Sequence, residues 1–181
     1  LDRANLLFLV VSRFADIDLH PDAVSNLEMG YLYEELVRRF SELSNETAGE
    51  HFTPREVIRL MVNLLFIEDE DALATPGVVR TIFDPACGTG GFLFTAYNHI
   101  AEHNANLTRD QKRHLKEEAF TGYELVQATA RVCAMNLLLH GIGSEKSVPV
   151  KVADALAADP GSRYDVVLAN PPFGKKSSTV I

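Results

Sequence analysis

Residues 78–91, VVRTIFDPACGTGG, set an apolar, β-branched run ending at Asp84 against a turn with glycines at positions 88, 90 and 91. The run reads as a strand, the turn as its exit, and GFLFTAYNHIAEHN (91–104) as the helix that the turn feeds. Downstream the alternation repeats: LTRDQKRHLKEE (107–118) as an exposed helix, AFTGYEL (119–125) as a strand, VQATARVCAMNLLLHG (126–141) as a helix ended by Gly141. VPVKVADAL (148–156) and YDVVLANPP (164–172) read as third and fourth strands. Short apolar strands alternating with helices predict an α/β fold with a parallel, doubly wound sheet, whose ligands sit beyond the carboxyl ends of the strands.

Upstream the pattern is helical. Leu6, Leu7, Val10 and Phe14 recur at helical spacing, and so do Leu32, Leu36, Val37 and Phe40. The opening stretch is too broken by Arg13 and Asp16 to cross a membrane and lacks the basic lead of a signal peptide, so a buried amphipathic helix is expected. SNETAGEHFTP (44–54) reads as a loop, and Thr53-Pro54-Arg55-Glu56 as a capping box, with Thr53 at the N-cap of a helix that runs through VIRLMVNLLF. EDEDALATPG (68–77) is a second, acidic loop.

The 181 residues carry a net charge of −8, which gives no broad face for neutralising phosphate. If the chain acts on nucleic acid, another region or partner must hold most of it. Two cysteines, Cys87 and Cys133, make no disulfide framework, and with no export signal a cytoplasmic setting and no membrane partner are expected. The opening at Leu1 rather than methionine suggests a trimmed chain.

Chemistry gathers where the strands end. The glycine turn at Asp84–Gly91 permits close backbone approach to a ligand, and the helix start beyond it favours a carboxylate. Glu124 ends the second strand, where an acid can grip ribose hydroxyls; Asp154 ends the third, where it can accept from an exocyclic amine. The set suits a nucleoside with an amino-acid tail. A dinucleotide fits less well, because the glycines are spaced GxGG and Glu124 lies too far along. After the fourth strand, Asn170-Pro171-Pro172-Phe173 forms a rigid projection. Asn170 offers a side-chain carbonyl and Pro171 a backbone carbonyl, two acceptors for the hydrogens of an amino group, and Phe173 offers a stacking surface.

DPACGTGGF, the strand-end acid Glu124 and NPPF, in this order, resemble the amino-methyltransferases that use S-adenosylmethionine. GEHFTPREV (49–57) narrows the resemblance to the adenine-N6 DNA methyltransferase (modification) subunits of type I restriction–modification systems. The resemblance implies an S-adenosylmethionine-dependent methyltransferase fold over 49–181, incomplete and cut after the fourth strand, preceded by the end of a helical domain over 1–48. It implies that Phe52 and Thr53, with Asp84, Ala86, Gly88, Thr89, Gly90 and Gly91, line the cofactor's methionine end; His51 fills a variable place in that segment. Glu124 with Leu125 would take the ribose, and Asp154 with Ala155 would lie by the cofactor's adenine. Asn170, Pro171, Pro172 and Phe173 would receive an adenine flipped out of DNA, Asn170 also bordering the cofactor. The implied partners are DNA, a DNA-specificity subunit and a restriction (nuclease/translocase) subunit. With its fourth strand missing a neighbour, the fragment is expected to be inactive alone and to self-associate along that edge.

Two other functions fit parts of the pattern: a protein glutamine-N5 methyltransferase, since Asn-Pro-Pro-aromatic enzymes also act on carboxamides, and a non-catalytic assembly module. GEHFTP and the helical N-terminus count against the first, the intact motifs against the second. His99 and His103 match HxxEH with Glu102, but suggest no third ligand and read as a solvated helix end, so no metal is expected. Leu93, Phe94 and Tyr97 read as core, Cys87 as a loop residue and Cys133 as core, and Lys175 and Lys176 as a solvated tail.

Overall fold

The computed structural model describes residues 6–43, 53–67, 79–104 and 106–171. Six helices and four strands are described among them: α1 (Leu6–Ala15), α2 (Asn26–Leu43), α3 (Arg55–Phe66), β1 (Ile82–Asp84), α4 (Gly91–His103), α5 (Arg109–Glu117), β2 (Phe120–Glu124), α6 (Gln127–Leu139), β3 (Val150–Val152) and β4 (Val166–Val167). The strands form one parallel sheet in the order β3-β2-β1-β4. The chain steps outward from β1 to β2 to β3, then returns to the other side of β1. The reversal makes the gap between the ends of β1 and β4 the topological switch point, where such sheets open a crevice.

The sheet is built as the sequence predicts, with shorter strands. Pairing sets Ile82 beside Phe120 and Val166, and Asp84 beside Gly122. Ile82 and Phe120 join Leu93, Ile100, Cys133 and Leu137 in the main core, which α4 and α6 cover. Phe83 sits on the opposite face, stacked on Tyr164 and edge-on to Tyr123. The entry to β4 is held by Asp165, whose carboxylate accepts from both the N–H and the hydroxyl of Thr81. Among the described residues β4 pairs with β1 alone, and Val167 is exposed.

Helix ends follow their chemistry. In α6, the Ile142 N–H donates to Leu137 O and the Gly141 N–H to Leu138 O, a Schellman closure with Gly141 at φ 79°. In α5, Thr108 and Gln111 form a reciprocal capping box, legible as T-x-x-Q, with Leu115 as the buried residue of this otherwise polar helix. Leu93, Phe94 and Tyr97 pack as core, Tyr97 edge-on to Phe120.

Two expectations, on the Thr53 cap and on the burial of the opening helix, need correction. No capping box forms at Thr53. Pro54, at φ −55° and ψ 139°, occupies the N-cap and its carbonyl accepts from Val57 and Ile58, so the helix begins one residue later and no side chain caps it. The opening helix also forms without being buried: none of α1 is buried and Phe8 is 82% exposed. Periodicity dictates a helix, whereas burial requires a partner, and no described element packs substantially on α1. In α2 the helix forms where the spacing of Leu32, Leu36, Val37 and Phe40 predicts it. Leu32 and Leu36 are exposed, and among the described side chains of α2 Gly30 and Glu34 are buried, with α2 lying against α6. The side chain of Phe40, the loop over 68–77 and most of the loop over 44–54 lie outside the described residues. No described helix is long and apolar enough to cross a membrane.

Gly141→Ala isolates the backbone cost of the left-handed turn, because an added Cβ would meet nothing within 4 Å among the described residues. Its unfolding free energy should fall by about 1 kcal/mol in a denaturant titration. An unchanged midpoint would show that the turn does not constrain the end of α6.

Candidate active site at the strand ends

Asp84, Glu124 and Asn170 lie at or just beyond the carboxyl ends of β1, β2 and β4, neighbours at one edge of the sheet. Asp84 is fully buried. Its Oδ1 accepts from the Ala86 N–H at 3.0 Å, while its Oδ2 has no hydrogen-bond partner among the described residues. Burial pushes the carboxyl up to about 7; the Ala86 N–H pulls it down, and the nearby Glu124 charge adds to the rise. A buried acid with one oxygen unmatched, beside a glycine turn, is what a ligand ammonium requires of its site.

The turn itself is shaped by packing. Gly88 and Gly90 take positive φ, 53° and 87°. At Gly90 a Cβ would also meet Cys133 Sγ at 2.9 Å, so a side chain there collides with α6 as well as straining the backbone. Gly90 is the N-cap of α4, and no side chain caps that helix start. The N-terminus therefore keeps its attraction for an anion. The Thr89 carbonyl is fixed from beneath by the Asn136 side chain at 2.9 Å. Asn136 was not among the predicted site residues; its only sequence signal is a single amide within the apolar run VCAMNLLL.

Glu124 holds this turn to the next strand. Its Oε2 accepts from the Gly88 N–H at 3.1 Å and its Oε1 from the Val126 N–H at 2.8 Å. Both carboxylate oxygens keep further lone pairs for a ligand. Leu125, immediately after, is exposed. Cys87 and Cys133 are buried with sulfurs 3.7 Å apart, and their contact together with burial pushes the Cys87 thiol up, away from the reactive thiolate. They serve as packing between turn and helix.

Asp154 is exposed after β3 and accepts from the Leu156 N–H at 2.9 Å, starting the turn that contains Ala155. It is thus two strands away from Asp84, on the outer side of Glu124. Asn170 follows β4, and its Nδ2 donates to the Thr53 hydroxyl at 3.0 Å. This contact joins residues separated by 117 positions and brings the segment before α3 to the end of β4. Pro171 is exposed. His51, Phe52, Pro172, Phe173, Lys175 and Lys176 lie outside the described residues. His99 stacks between Phe66 and His103, whose Nδ1 pairs with the His99 carbonyl.

The chain as a whole is similar to proteins of known identity. The family model for the N-6 DNA methylase matches residues 25–181. The EcoEI type I restriction enzyme methylase subunit of Escherichia coli is 36% identical over 174 residues, covering 93% of this chain and 32% of the relative. A solved structure of a type I restriction–modification system superposes with a TM-score of 0.67 at 33% identity, over 88% of this chain and 30% of that one. The methyltransferase subunit of the Streptococcus thermophilus type I restriction–modification system superposes with a TM-score of 0.61 at 26% identity, over 87% of this chain and 29% of that one. The chain thus spans about a third of the length of the relatives it matches. With the family model covering most of its residues and the fold shared with these subunits, the chain belongs to the N-6 DNA methylase family.

Proposed function

We propose that the protein to which this chain belongs transfers a methyl group from S-adenosylmethionine to the N6 amine of an adenine in DNA, as the modification subunit of a type I restriction–modification system. The observation that carries this reading is the placement of Asp84, Glu124 and Asn170 on three adjacent strand ends around the switch point, with the buried Oδ2 of Asp84 unmatched. Asp84 would hold the cofactor's ammonium, the N-terminus of α4 its carboxylate, and Glu124 its ribose, with Ala86, Thr89 and Gly91 completing the turn. Asp154 and Ala155 would lie by its adenine. When bound, S-adenosylmethionine supplies an electrophilic methyl group on a sulfonium.

The chain's own residues act by position. Asn170 Oδ1 and the Pro171 carbonyl would accept the two hydrogens of the acceptor amine, which keeps its lone pair available and aimed. Proline at 171 supplies a carbonyl without a competing N–H, and rigid backbone on either side keeps both acceptors in place. Phe173 would stack on the extruded base, offsetting part of the cost of unstacking it. An acidic chain of net charge −8 is a poor holder of duplex DNA. A DNA-specificity subunit would therefore supply the grip, and a restriction subunit would complete the system. In this reading residues 1–48 end a helical domain and 49–181 begin the methyltransferase domain. The glutamine-N5 reading is not favoured, since the relatives include type I restriction enzyme methylase subunits.

Asn170→Ala in the full-length protein, assembled with its specificity partner, should reduce methyl transfer by at least about a hundredfold while cofactor affinity changes little. Turnover within a few-fold of wild type would remove Asn170 from the acceptor site.

Asp84 gives a pH signature. Its folded value, about 7, lies above the ordinary 3.8, so the folded state binds the proton more tightly. The stability this group contributes is present below 3.8 and is lost as pH rises through about 7. A bound ammonium reverses the preference, because it needs the carboxylate. Calorimetry should therefore show S-adenosylmethionine affinity rising with pH until about 7 and proton release below it. Asp84→Asn should bind weakly with a flat profile; an Asp84→Asn affinity equal to wild type at every pH would disprove the assignment.

A further inference from the structure

The hydroxyl of Thr53 is unexplained by its local setting. It caps no helix, since Pro54 takes that place, and it reaches instead to the Nδ2 of Asn170 at 3.0 Å. We propose that Thr53 is a positioning residue that decides which end of the Asn170 carboxamide faces the acceptor amine. This inference rests on the methyl-transfer reading above.

The two ends of a carboxamide are nearly equal in size and opposite in function. With Oδ1 facing the amine, an acceptor meets a donor; after a half-turn about the Cβ–Cγ bond, Nδ2 would face it, donor against donor. Asn170 is exposed, so packing does not choose between these states. Proline at 171 removes the neighbouring N–H that could have fixed Oδ1 locally. The choice falls to the hydroxyl of Thr53, which has one proton and two lone pairs. A hydroxyl tolerates either end of an amide unless its proton is engaged elsewhere. Thr53 stands where the segment before α3 meets the end of β4, in the stretch assigned to the methionine end of the cofactor. An acceptor bound there takes the Thr53 proton. Only a lone pair then remains for Asn170, so the pairing seen in the structure, Nδ2 to the Thr53 hydroxyl, is locked in place and Oδ1 is left for the acceptor amine. Cofactor occupancy thereby prepares the acceptor site, through one hydroxyl.

The test compares Thr53→Val, which keeps shape and loses the hydroxyl, with Thr53→Ser, which restores it. Both are made in the full-length protein assembled with its specificity partner. Turnover is measured at saturating S-adenosylmethionine and DNA. Affinity is measured by anisotropy for duplexes carrying adenine or unsubstituted purine at the target, with and without S-adenosylhomocysteine. In wild type, the cofactor product should raise affinity for the adenine duplex more than for the purine duplex. Thr53→Val should lose that difference and about tenfold in kcat, with Thr53→Ser within about threefold of wild type in both. Thr53→Val with weakened cofactor binding but unchanged kcat and unchanged discrimination would overturn the proposal, leaving Thr53 a cofactor contact only. Thr53→Ser as defective as Thr53→Val would overturn it too, since the hydroxyl would not be the agent. A wild-type complex that binds the cofactor yet methylates no adenine would overturn the functional reading itself, a failure visible before any variant is compared.

Discussion

The Glu124 carboxylate, bonded to the N–H of Gly88 at 3.1 Å and to that of Val126 at 2.8 Å, is the contact on which the strand-end arrangement depends. In a parallel sheet each strand exits into its own loop, and nothing in the ladder of hydrogen bonds ties one loop to the next. Glu124 supplies that tie between the loops after β1 and β2. The Cys87 N–H donating to Tyr123 O at 2.9 Å extends it. Packing makes the approach possible. A Cβ at Gly122 would meet Cys87 Sγ at 2.8 Å, and the two sulfurs fill the space between turn and helix. Changing any of these groups moves the turn, and with it the helix start that follows.

The same closeness creates the site's electrostatic tension. Drawing the turn against Glu124 buries Asp84 beside a second carboxylate and leaves its Oδ2 without a partner among the described residues. Buried, unmatched acids are costly to keep in a fold, and are kept where a ligand completes them. A cationic ligand group placed there would relieve burial and repulsion together, so that binding and local stability are linked. At β4 the logic differs. Asn170 has no charge to match; it needs orientation, which it obtains from Thr53 across 117 residues of chain.

The features legible in the sequence are those in which one residue's chemistry decides the local backbone. Glycines 88, 90 and 141 mark their turns, and Asp84, Glu124 and Asn170 fall at strand ends because strands stop where such groups appear. The parallel sheet follows from strand–helix alternation, whereas the order that returns β4 to the far side of β1 is a finding of the structure. Features set by a distant partner were less legible. The helical period of residues 6–14 implies an apolar stripe but not what covers it, and α1 is exposed. Thr53-Pro54-Arg55-Glu56 has the composition of a capping box, yet the proline's ψ of 139° delays the helix, and the threonine bonds to a residue that no local pattern would nominate. Asn136 escapes for the same reason: its partner, the Thr89 carbonyl, is 47 positions away.

The account's central claim is that this strand-end edge delivers a methyl group to an exocyclic amine of a DNA base. It is tested most directly by incubating the full-length protein and its specificity partner with isotopically labelled S-adenosylmethionine and DNA, then digesting both DNA and protein for mass spectrometry. The account predicts label in N6-methyl-2′-deoxyadenosine from the DNA and none in the protein. Label in a glutamine side chain, or in no DNA base while the cofactor is bound, would contradict it.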